Sequence, residues 1–339
     1  MSGPDERVVR TGDRARPEGA GAARVVIVTG ASSGIGEATA ERFADAGDLV
    51  VNLDIRPPAR PRGPWLEVDV ADWQGVRQAV AAVHAEHGGL DVAIANAGIS
   101  VRHPVLAITE AEARRTLEVN LLGVLALWQA AAELMLPRRR GVLLATASVN
   151  GTRGYPRYAD YNASKAGVTS LCQTFALELA PYIRTACVTP GAVLTPMQRA
   201  EYTDEMLAEV NACIPMGRHA APAEIAAAFH FLASDQAGFI TGQEFVVDGG
   251  ETAGATTAFL ALPDKPAPDA QAPGVPTSGL SVPGAEVPAV EVPGVEVPGV
   301  PVPGKPATYA PGTATSHRPA PGSPAPDRPS AGPPPPAAD

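Results

Sequence analysis

A doubly wound α/β fold, a parallel sheet with helices on both faces, is the class this sequence predicts. Three observations carry that expectation. From Arg24 to about residue 250, short β-rich apolar runs alternate with helical runs, the pattern of consecutive βαβ units. The first run, Arg24-Val25-Val26-Ile27-Val28-Thr29, is continuously apolar rather than alternating, as a strand covered on both faces must be. A glycine-rich turn, Thr29-Gly30-Ala31-Ser32-Ser33-Gly34-Ile35-Gly36, follows at once, at the first strand–helix junction, where such sheets hold ligands.

The remaining elements follow in order. Strands are expected at 49–54, 65–69, 91–95, 141–147, 183–188 and 243–247, with helices over 34–46, 72–87, 110–136, 159–180 and 222–233. Residues 195–213 follow a strand and look helical, with Met197, Met206 and Leu207 among polar neighbours. A segment at that edge of the sheet either covers the ligand crevice or forms an ordinary surface helix. The domain is expected to span 24–253. Residues 1–23 are expected to be a disordered extension, and 262–339 a disordered Pro/Gly/Val-rich tail. Of the 36 prolines, 22 fall after residue 262, and 282–306 runs as a degenerate pentad whose clearest copy is Val292-Pro293-Gly294-Val295-Glu296. Nothing there can bury a core, and either a partner-binding or a passive role fits; any tail partner is unknown.

Composition excludes several function classes. The chain is 45% hydrophobic with a formal charge of -10, and an acidic balance without basic clusters disfavours nucleic acid. No run approaches the roughly 20 apolar residues of a membrane span, and the first 23 residues lack the apolar core of a secretory signal. Cys172, Cys187 and Cys213 show neither close pairing nor metal-ligand spacing, so no metal is expected and a reducing cytoplasm is.

The motifs point to chemistry. Glycines in the first turn let the backbone approach a pyrophosphate, and the helix starting there offers free N–H groups to an anion. Asp54 ends the second strand 18 residues after Gly36; a carboxylate there accepts from both hydroxyls of an adenosine ribose and repels a 2′-phosphate. Ser33, not a basic residue, precedes Gly34, so NAD is favoured over NADP, with Arg56 as the one counter-indication. Lys165 is the only lysine before residue 265, four residues after Tyr161. That spacing places both on one helix face, either as an ordinary surface pair or as an ammonium that depresses a phenol pKa. Bringing a phenol from ~10 to neutrality requires about 4 kcal/mol, more than one lysine readily supplies, and a second positive charge such as an oxidised nicotinamide would help.

Together these residues resemble the classical short-chain dehydrogenase/reductase family over about 24–252, which implies a Rossmann fold. The family's glycine turn matches Gly30, Gly34 and Gly36, and its Asn-Ala-Gly matches Asn96-Ala97-Gly98. Its helical asparagine matches Asn120, its serine Ser148, 13 residues before Tyr161, and its Pro-Gly matches Pro190-Gly191, followed by Val193 and Thr195. The resemblance implies Tyr161 as acid–base group, Lys165 as its partner and ribose ligand, Ser148 as a steadying donor, and Asn120 as anchor of a proton-relay water. Asn120 also reads as a helix-internal structural bond. The resemblance further implies that Ser32, Ser33 and Ile35 belong to the cofactor loop, that Asp69-Val70 brackets the adenine, that Asn96, Ala97 and Gly98 line the site, and that Pro190, Gly191, Val193 and Thr195 flank the nicotinamide. Two departures, Ala95 before Asn96 and Thr185-Ala186 after Arg184, put local packing in doubt.

The expected activity is hydride transfer between NAD and a secondary alcohol or its ketone. A 3-oxoacyl-carrier-protein reductase-like enzyme and a catalytically silent dinucleotide-binding scaffold are the alternatives. The substrate would meet Ser148–Tyr161, residues 195–214 and the loop after Gly98. Val149, Asn150, Tyr155 and Met197 suggest a mixed, moderately apolar pocket; Arg102, Arg153 and Arg157 lie in the same regions, as ordinary surface arginines by default or else to meet a substrate carboxylate. Family members assemble as homodimers or homotetramers through their long central helices, and the apolar run 121–127 is compatible with that.

Overall fold

The computed structural model describes residues 23–254; the extension expected at 1–23, save its last residue, and the tail expected at 262–339 lie outside the described residues. Seven strands form one sheet: β1 (Val25–Thr29), β2 (Leu49–Asp54), β3 (Trp65–Glu67), β4 (Val92–Ala95), β5 (Gly141–Thr146), β6 (Ile183–Pro190) and β7 (Gln243–Val247). Their order is β3-β2-β1-β4-β5-β6-β7, and every pair is parallel. The chain runs outward from β1 to β3, then crosses back to β4, so the order reverses between β1 and β4. A reversal of that kind opens a crevice at the strands' carboxyl ends.

Eight α-helices accompany the sheet among the described residues: α1 (Gly34–Asp45), α2 (Trp73–His87), α3 (Glu110–Leu117), α4 (Gly123–Met135), α5 (Ala159–Leu179), α6 (Pro196–Glu201), α7 (Asp204–Cys213) and α8 (Pro222–Leu232). The two-residue period of β1 divides its side chains between two cores. Val25 and Ile27 join Trp128, Leu127 and Met135 of α4 and Val76, Val80 and Val83 of α2. Val26 and Val28 join Phe43 of α1 and Ile225 and Phe229 of α8. This two-sided burial explains why the run 25–28 carries no polar residue.

The structure departs from the sequence expectation in four places. The helix expected over 110–136 is interrupted by a π-helical segment, Glu118–Leu122, between α3 and α4, a wider turn that insertions in helices produce, often at functional sites. Asn120 lies in it, fully buried. Secondly, β3 stops at Glu67; Val68 still donates to Asp54 O of β2 at 3.2 Å, and beyond it Asp69 turns the chain, its Oδ1 accepting from Ala71 N at 3.0 Å, while Val68 and Val70 stay buried. Thirdly, the 29-residue helical run Glu110–Arg138 is long and apolar enough to match a membrane span, with a mean hydropathy of 1.6 over its best window, which corrects the expectation that no run approaches one. Of that window, 61% is buried inside the fold; its apolar residues are the core face under the sheet. Finally, residues 195–213 form two helices, with breaks enforced by the threonine caps Thr195, accepting from Gln198 N, and Thr203, accepting from Met206 N.

Both family departures pack well. Ala95 is 3% exposed and Ala186 fully buried, and the Thr185 hydroxyl donates to Cys172 O at 2.8 Å. Cys172 and Cys187, distant in sequence, interact as buried free thiols in the same core, while Cys213 is exposed.

Candidate active site

The crevice at the β1/β4 reversal is a cleft of about 250 Å³. One end begins at the glycine turn. Gly30 has φ +67°, and a Cβ there would sit 2.8 Å from Ala97 Cα; only glycine satisfies both constraints. A Cβ on Gly36 would sit 2.1 Å from Gly30 O and 2.5 Å from Asn96 Nδ2, so α1 starts in direct contact with the turn. Asn96 fastens the junction. Its Nδ2 donates to Thr29 O at 3.1 Å, its Oδ1 accepts from Thr146 Oγ1 at 3.0 Å, and its N–H donates to Thr29 Oγ1 at 3.0 Å. One side chain thereby ties β1, β4 and β5 together.

The start of α1 is built for an anion. Its N-cap Ser33 makes no side-chain cap, as at α4, α5 and α8, whereas Asp72, Thr109, Thr195 and Thr203 cap α2, α3, α6 and α7. Uncapped N–H groups at a helix N-terminus attract negative charge, and Ser33, Gly34 and Ile35 face the cleft. A pyrophosphate fits this cradle. Ser32 does not line the cleft; it locks the loop, accepting from Asn52 Nδ2 at 2.9 Å and donating to Arg56 O at 2.6 Å.

Asp54 lies further along the cleft, 8% exposed. Its two oxygens accept from Ser32 N and Arg56 N, each at 3.0 Å. Each oxygen keeps a lone pair for a ligand hydroxyl. Arg56 lines the same stretch and is exposed. Leu53, Val68, Val70 and Val119 form an apolar slot beyond it, suited to a flat ring. Asp69 closes its turn and pairs with Arg115 at 2.9 Å, placing an ion pair on the rim.

Tyr161 and Lys165 also line the cleft, with Thr146, Thr195, Pro196 and Met197. Lys165 is 3% exposed; its Nζ donates to Thr146 O at 2.7 Å and lies 5.7 Å from the centre of the Tyr161 ring. Burial pushes the Tyr161 phenol up to about 12, against a smaller downward pull from the Ser148 hydroxyl. The expected depression by Lys165 is therefore absent from the protein's own charges: the lysine is itself driven down to about 8 by burial, and desolvation of the phenol dominates.

The sign for stability follows. Lys165 has a folded pKa below its unfolded value, so burying its charge destabilises the fold fully below pH 8, and that cost is relieved as pH rises towards 10.5. A shift of this size corresponds to roughly 3 kcal/mol. Thermal unfolding of Lys165→Met is expected to lack this rise in relative stability between pH 8 and 10.5; parallel pH profiles for the two proteins would refute it.

Ser148 Oγ accepts from Asn150 N at 3.2 Å and donates to Asn150 Oδ1 at 3.3 Å. Asn120 is held outside its own helix: its Oδ1 accepts from Ile99 N at 2.8 Å, and its Nδ2 donates to Ile99 O at 2.9 Å and Ser164 Oγ at 3.2 Å. The helix-internal reading is thus replaced by a clamp joining the π segment, the loop after β4 and α5. A Cβ on Gly98 would lie 3.3 Å from Asn120 Oδ1 and 3.7 Å from Lys165 Nζ, so the clamp and the lysine share one small space.

Pro190, Gly191 and Val193 support the cleft's edge without lining it. Gly191 N donates to Val247 O at 3.1 Å, and Val193 bridges Ala220; Thr195 alone of this group faces the cleft. Of the expected site residues, Ser32, Gly36, Asn120, Ser148, Pro190, Gly191 and Val193 stand behind its surface, and the others line it.

Several residues were not singled out by the sequence reading. Thr146 accepts from the lysine, Arg115 guards the rim, and Ile55 lies beside Asp54. Tyr158 and Glu201 also escaped notice. Tyr158 carried a signal: three residues before Tyr161, its ring lies 6.0 Å from that ring. Arg102, one of the three arginines expected near the substrate, lies over Tyr202 and Tyr158 at 4.8 and 5.8 Å from the ring centres. Arg153 and Arg157 are exposed.

Comparison with known proteins agrees with this geometry. A family model described as Enoyl-(Acyl carrier protein) reductase matches residues 30–252. The chain is 38% identical over 244 residues to 3beta-hydroxysteroid dehydrogenase 1 of Eggerthella lenta, covering 68% of this chain and 94% of that one. It is also 38% identical over 244 residues to Cis-4-hydroxycyclohexanecarboxylate dehydrogenase of Sinomonas cyclohexanicum, covering 68% and 98%. Among solved structures, ligand-free aldohexose dehydrogenase of Thermoplasma acidophilum superposes with a TM-score of 0.67 at 33% identity, covering 69% of this chain and 96% of that one. With the parallel sheet, the glycine turn and the Tyr161–Lys165 pair already at one cleft, these matches make this chain a member of the short-chain dehydrogenase/reductase family, nicotinamide-dependent oxidoreductases acting on CH–OH groups.

Proposed function

We propose that the protein is an NAD-dependent dehydrogenase of secondary alcohols, or of the matching ketones in reverse, with Tyr161 as its acid–base group. The observation that supports this reading is the cleft itself, whose lining includes Tyr161, Lys165 and Asp54 together. When bound, oxidised nicotinamide supplies the hydride acceptor and a positive charge that the site's own cations do not.

The chain's residues do the rest. Tyr161 takes the carbinol proton or returns it to the ketone oxygen. Ser148 donates to the same oxygen as charge develops there. Lys165, anchored on Thr146 O, binds the nicotinamide ribose hydroxyls and holds positive charge near the phenol. Asn120 keeps the loop after β4 and α5 in register and anchors a relay water. The α1 N-terminus takes the pyrophosphate, Asp54 the adenosine ribose, and Asp69-Val70 the adenine edge; Pro190, Gly191, Val193 and Thr195 frame the nicotinamide.

Asp54 supports NAD over NADP, since its carboxylate would repel a 2′-phosphate; Arg56, exposed on the same stretch, is the one counter-indication. The same carboxylate argues against a 3-oxoacyl-carrier-protein reductase, which usually takes NADPH, and the full set Asn120, Ser148, Tyr161 and Lys165 argues against a silent scaffold. Exposed Leu122 and Leu177, 43% and 85% accessible on the long central helices, support a homodimer or homotetramer. Free thiols at Cys172, Cys187 and Cys213 support a cytoplasmic setting. The domain proper is proposed to span 24–253.

The test is NADH formation by the purified protein against cyclic, steroid, sugar and aliphatic secondary alcohols, with NAD and NADP compared. Turnover with NAD in preference to NADP is expected. Turnover with NADP alone would overturn the reading of Asp54, and no turnover of any alcohol or ketone would favour the scaffold.

A further inference from the structure

The wall beside Tyr161 is assembled from three distant segments. Tyr158 lies just ahead of α5, Glu201 ends α6, Tyr202 follows it, and Arg102 comes from the loop after β4. Tyr158 Oη donates to Glu201 Oε2 at 2.7 Å and lies 3.1 Å from Tyr202 Oη. Tyr158 is 9% exposed, and burial together with its hydroxyl and carboxylate neighbours keeps its phenol well above the usual range, so it remains a neutral donor committed to Glu201. That bond fixes one glutamate oxygen. The other, Oε1, is buried without a hydrogen-bond partner among the described residues, as is Arg102 Nε on the same wall. Unpartnered buried groups of this kind are costly, and a ligand that completes them removes the cost.

Glu201 is tied to the reacting end through Tyr158, whose ring lies 6.0 Å from that of Tyr161. After burial and the opposing Ser148 bond, the Glu201 charge is the remaining influence on the Tyr161 phenol, pushing it further up. Arg102 forms no ion pair within 4.0 Å among the described residues; its guanidinium rests on the Tyr202 and Tyr158 rings, a cation–π arrangement, and its Nη1 donates to Met206 Sδ at 3.9 Å. The wall therefore holds, behind the cleft's surface, one unpartnered carboxylate oxygen and one unpartnered guanidinium N–H, beside a tyrosine whose ring lies 6.0 Å from that of Tyr161. A carboxylate-bearing substrate would meet Glu201, and an amine would meet Arg102. A neutral hydroxyl both donates and accepts, so it satisfies both.

Resting on the dehydrogenase reading above, we propose that Glu201, held by Tyr158 and aided by Arg102, is a specificity-determining residue that recognises a second hydroxyl of a neutral diol or polyol substrate. The oxidised carbinol sits on Tyr161 and Ser148, and the neighbouring hydroxyl donates to Glu201 Oε1. A site built to hydrogen-bond a substrate hydroxyl discriminates strongly against analogues lacking it, because its buried polar groups are then left unpaired.

The experiment compares cyclohexanol, 1,2-cyclohexanediol, 2-aminocyclohexanol and 4-hydroxycyclohexanecarboxylate with NAD, in the native enzyme and in Glu201→Gln and Glu201→Ala. The native kcat/KM is expected to favour the diol over the mono-alcohol by about 10²-fold or more, given the discrimination such sites achieve. That ratio should fall at least tenfold in Glu201→Ala and less in Glu201→Gln, which keeps an acceptor. A native preference for the carboxylate or the amine, or an unchanged ratio in Glu201→Ala, would overturn the proposal. Binding of the diol to the NADH complex, read by cofactor fluorescence, needs no turnover. If no alcohol in the panel reacts, the dehydrogenase reading fails, while weaker diol binding in Glu201→Ala still supports recognition by Glu201 and equal binding refutes it.

Discussion

Tyr161→Phe is expected to lower kcat by about 10³-fold, the scale of a lost general acid–base group, while NADH still binds. The substitution deletes one oxygen and leaves the Lys165–Thr146 bond, the glycine turn and Asp54 in place. The pH profile adds a sharper expectation. Burial, opposed by the Ser148 hydroxyl and reinforced by the Glu201 charge, holds the phenol at about 12, and bringing it to neutrality from there requires roughly 7 kcal/mol. Alcohol oxidation consumes the deprotonated phenol, so its rate should rise with pH; ketone reduction consumes the protonated form and should fall over the same range. With NAD bound, the midpoint of both limbs should lie well below 12. Initial rates in both directions, with fluorescence titration of NADH for each protein, check this. A phenylalanine variant retaining a tenth or more of native kcat would show that the proton goes elsewhere.

Asp54→Asn is expected to change cofactor choice more than any other single substitution in the cleft. The carboxylate offers charge-assisted acceptors to two ribose hydroxyls, each worth about 1.5–3 kcal/mol. An amide of the same shape keeps only one accepting oxygen and removes the repulsion of a 2′-phosphate. The kcat/KM with NAD should therefore fall about 10²-fold, while that with NADP should rise, Arg56 now being free to meet the phosphate. The substitution also unsettles one of the bonds from Ser32 N and Arg56 N that shape the loop, so thermal unfolding is measured in parallel. A proportional loss with both cofactors would mean that Asp54 shapes the loop without reading the ribose.

Much of this was legible in the sequence because the signals are local. Uninterrupted apolar strands such as 25–28 declared two-sided burial, the glycine turn declared close backbone approach, and the i, i+4 spacing of Tyr161 and Lys165 declared a shared face. What escaped was set by distance. The Tyr158–Glu201 bond spans 43 residues and the stacking of Arg102 on Tyr202 spans 100, and no periodicity encodes either. The π segment around Asn120 was hidden because its residues keep an apolar helical pattern; the inserted turn is stabilised by the bonds to Ile99. The direction of the Tyr161 shift was missed for a related reason. Adjacent charge can be read from spacing, but desolvation depends on everything packed around the ring. The apolar run in 110–138 likewise reads as a span or as a core helix until the sheet that buries it is known.

The most direct measurement follows the hydride itself. A secondary alcohol deuterated at its carbinol carbon is incubated with the enzyme and NAD, and the cofactor is recovered for mass spectrometry. One deuterium in NADH, transferred by the native protein and lost in proportion to kcat in Tyr161→Phe, is the predicted result. Reduced cofactor without label, or label transferred equally well by Tyr161→Phe, would contradict the account.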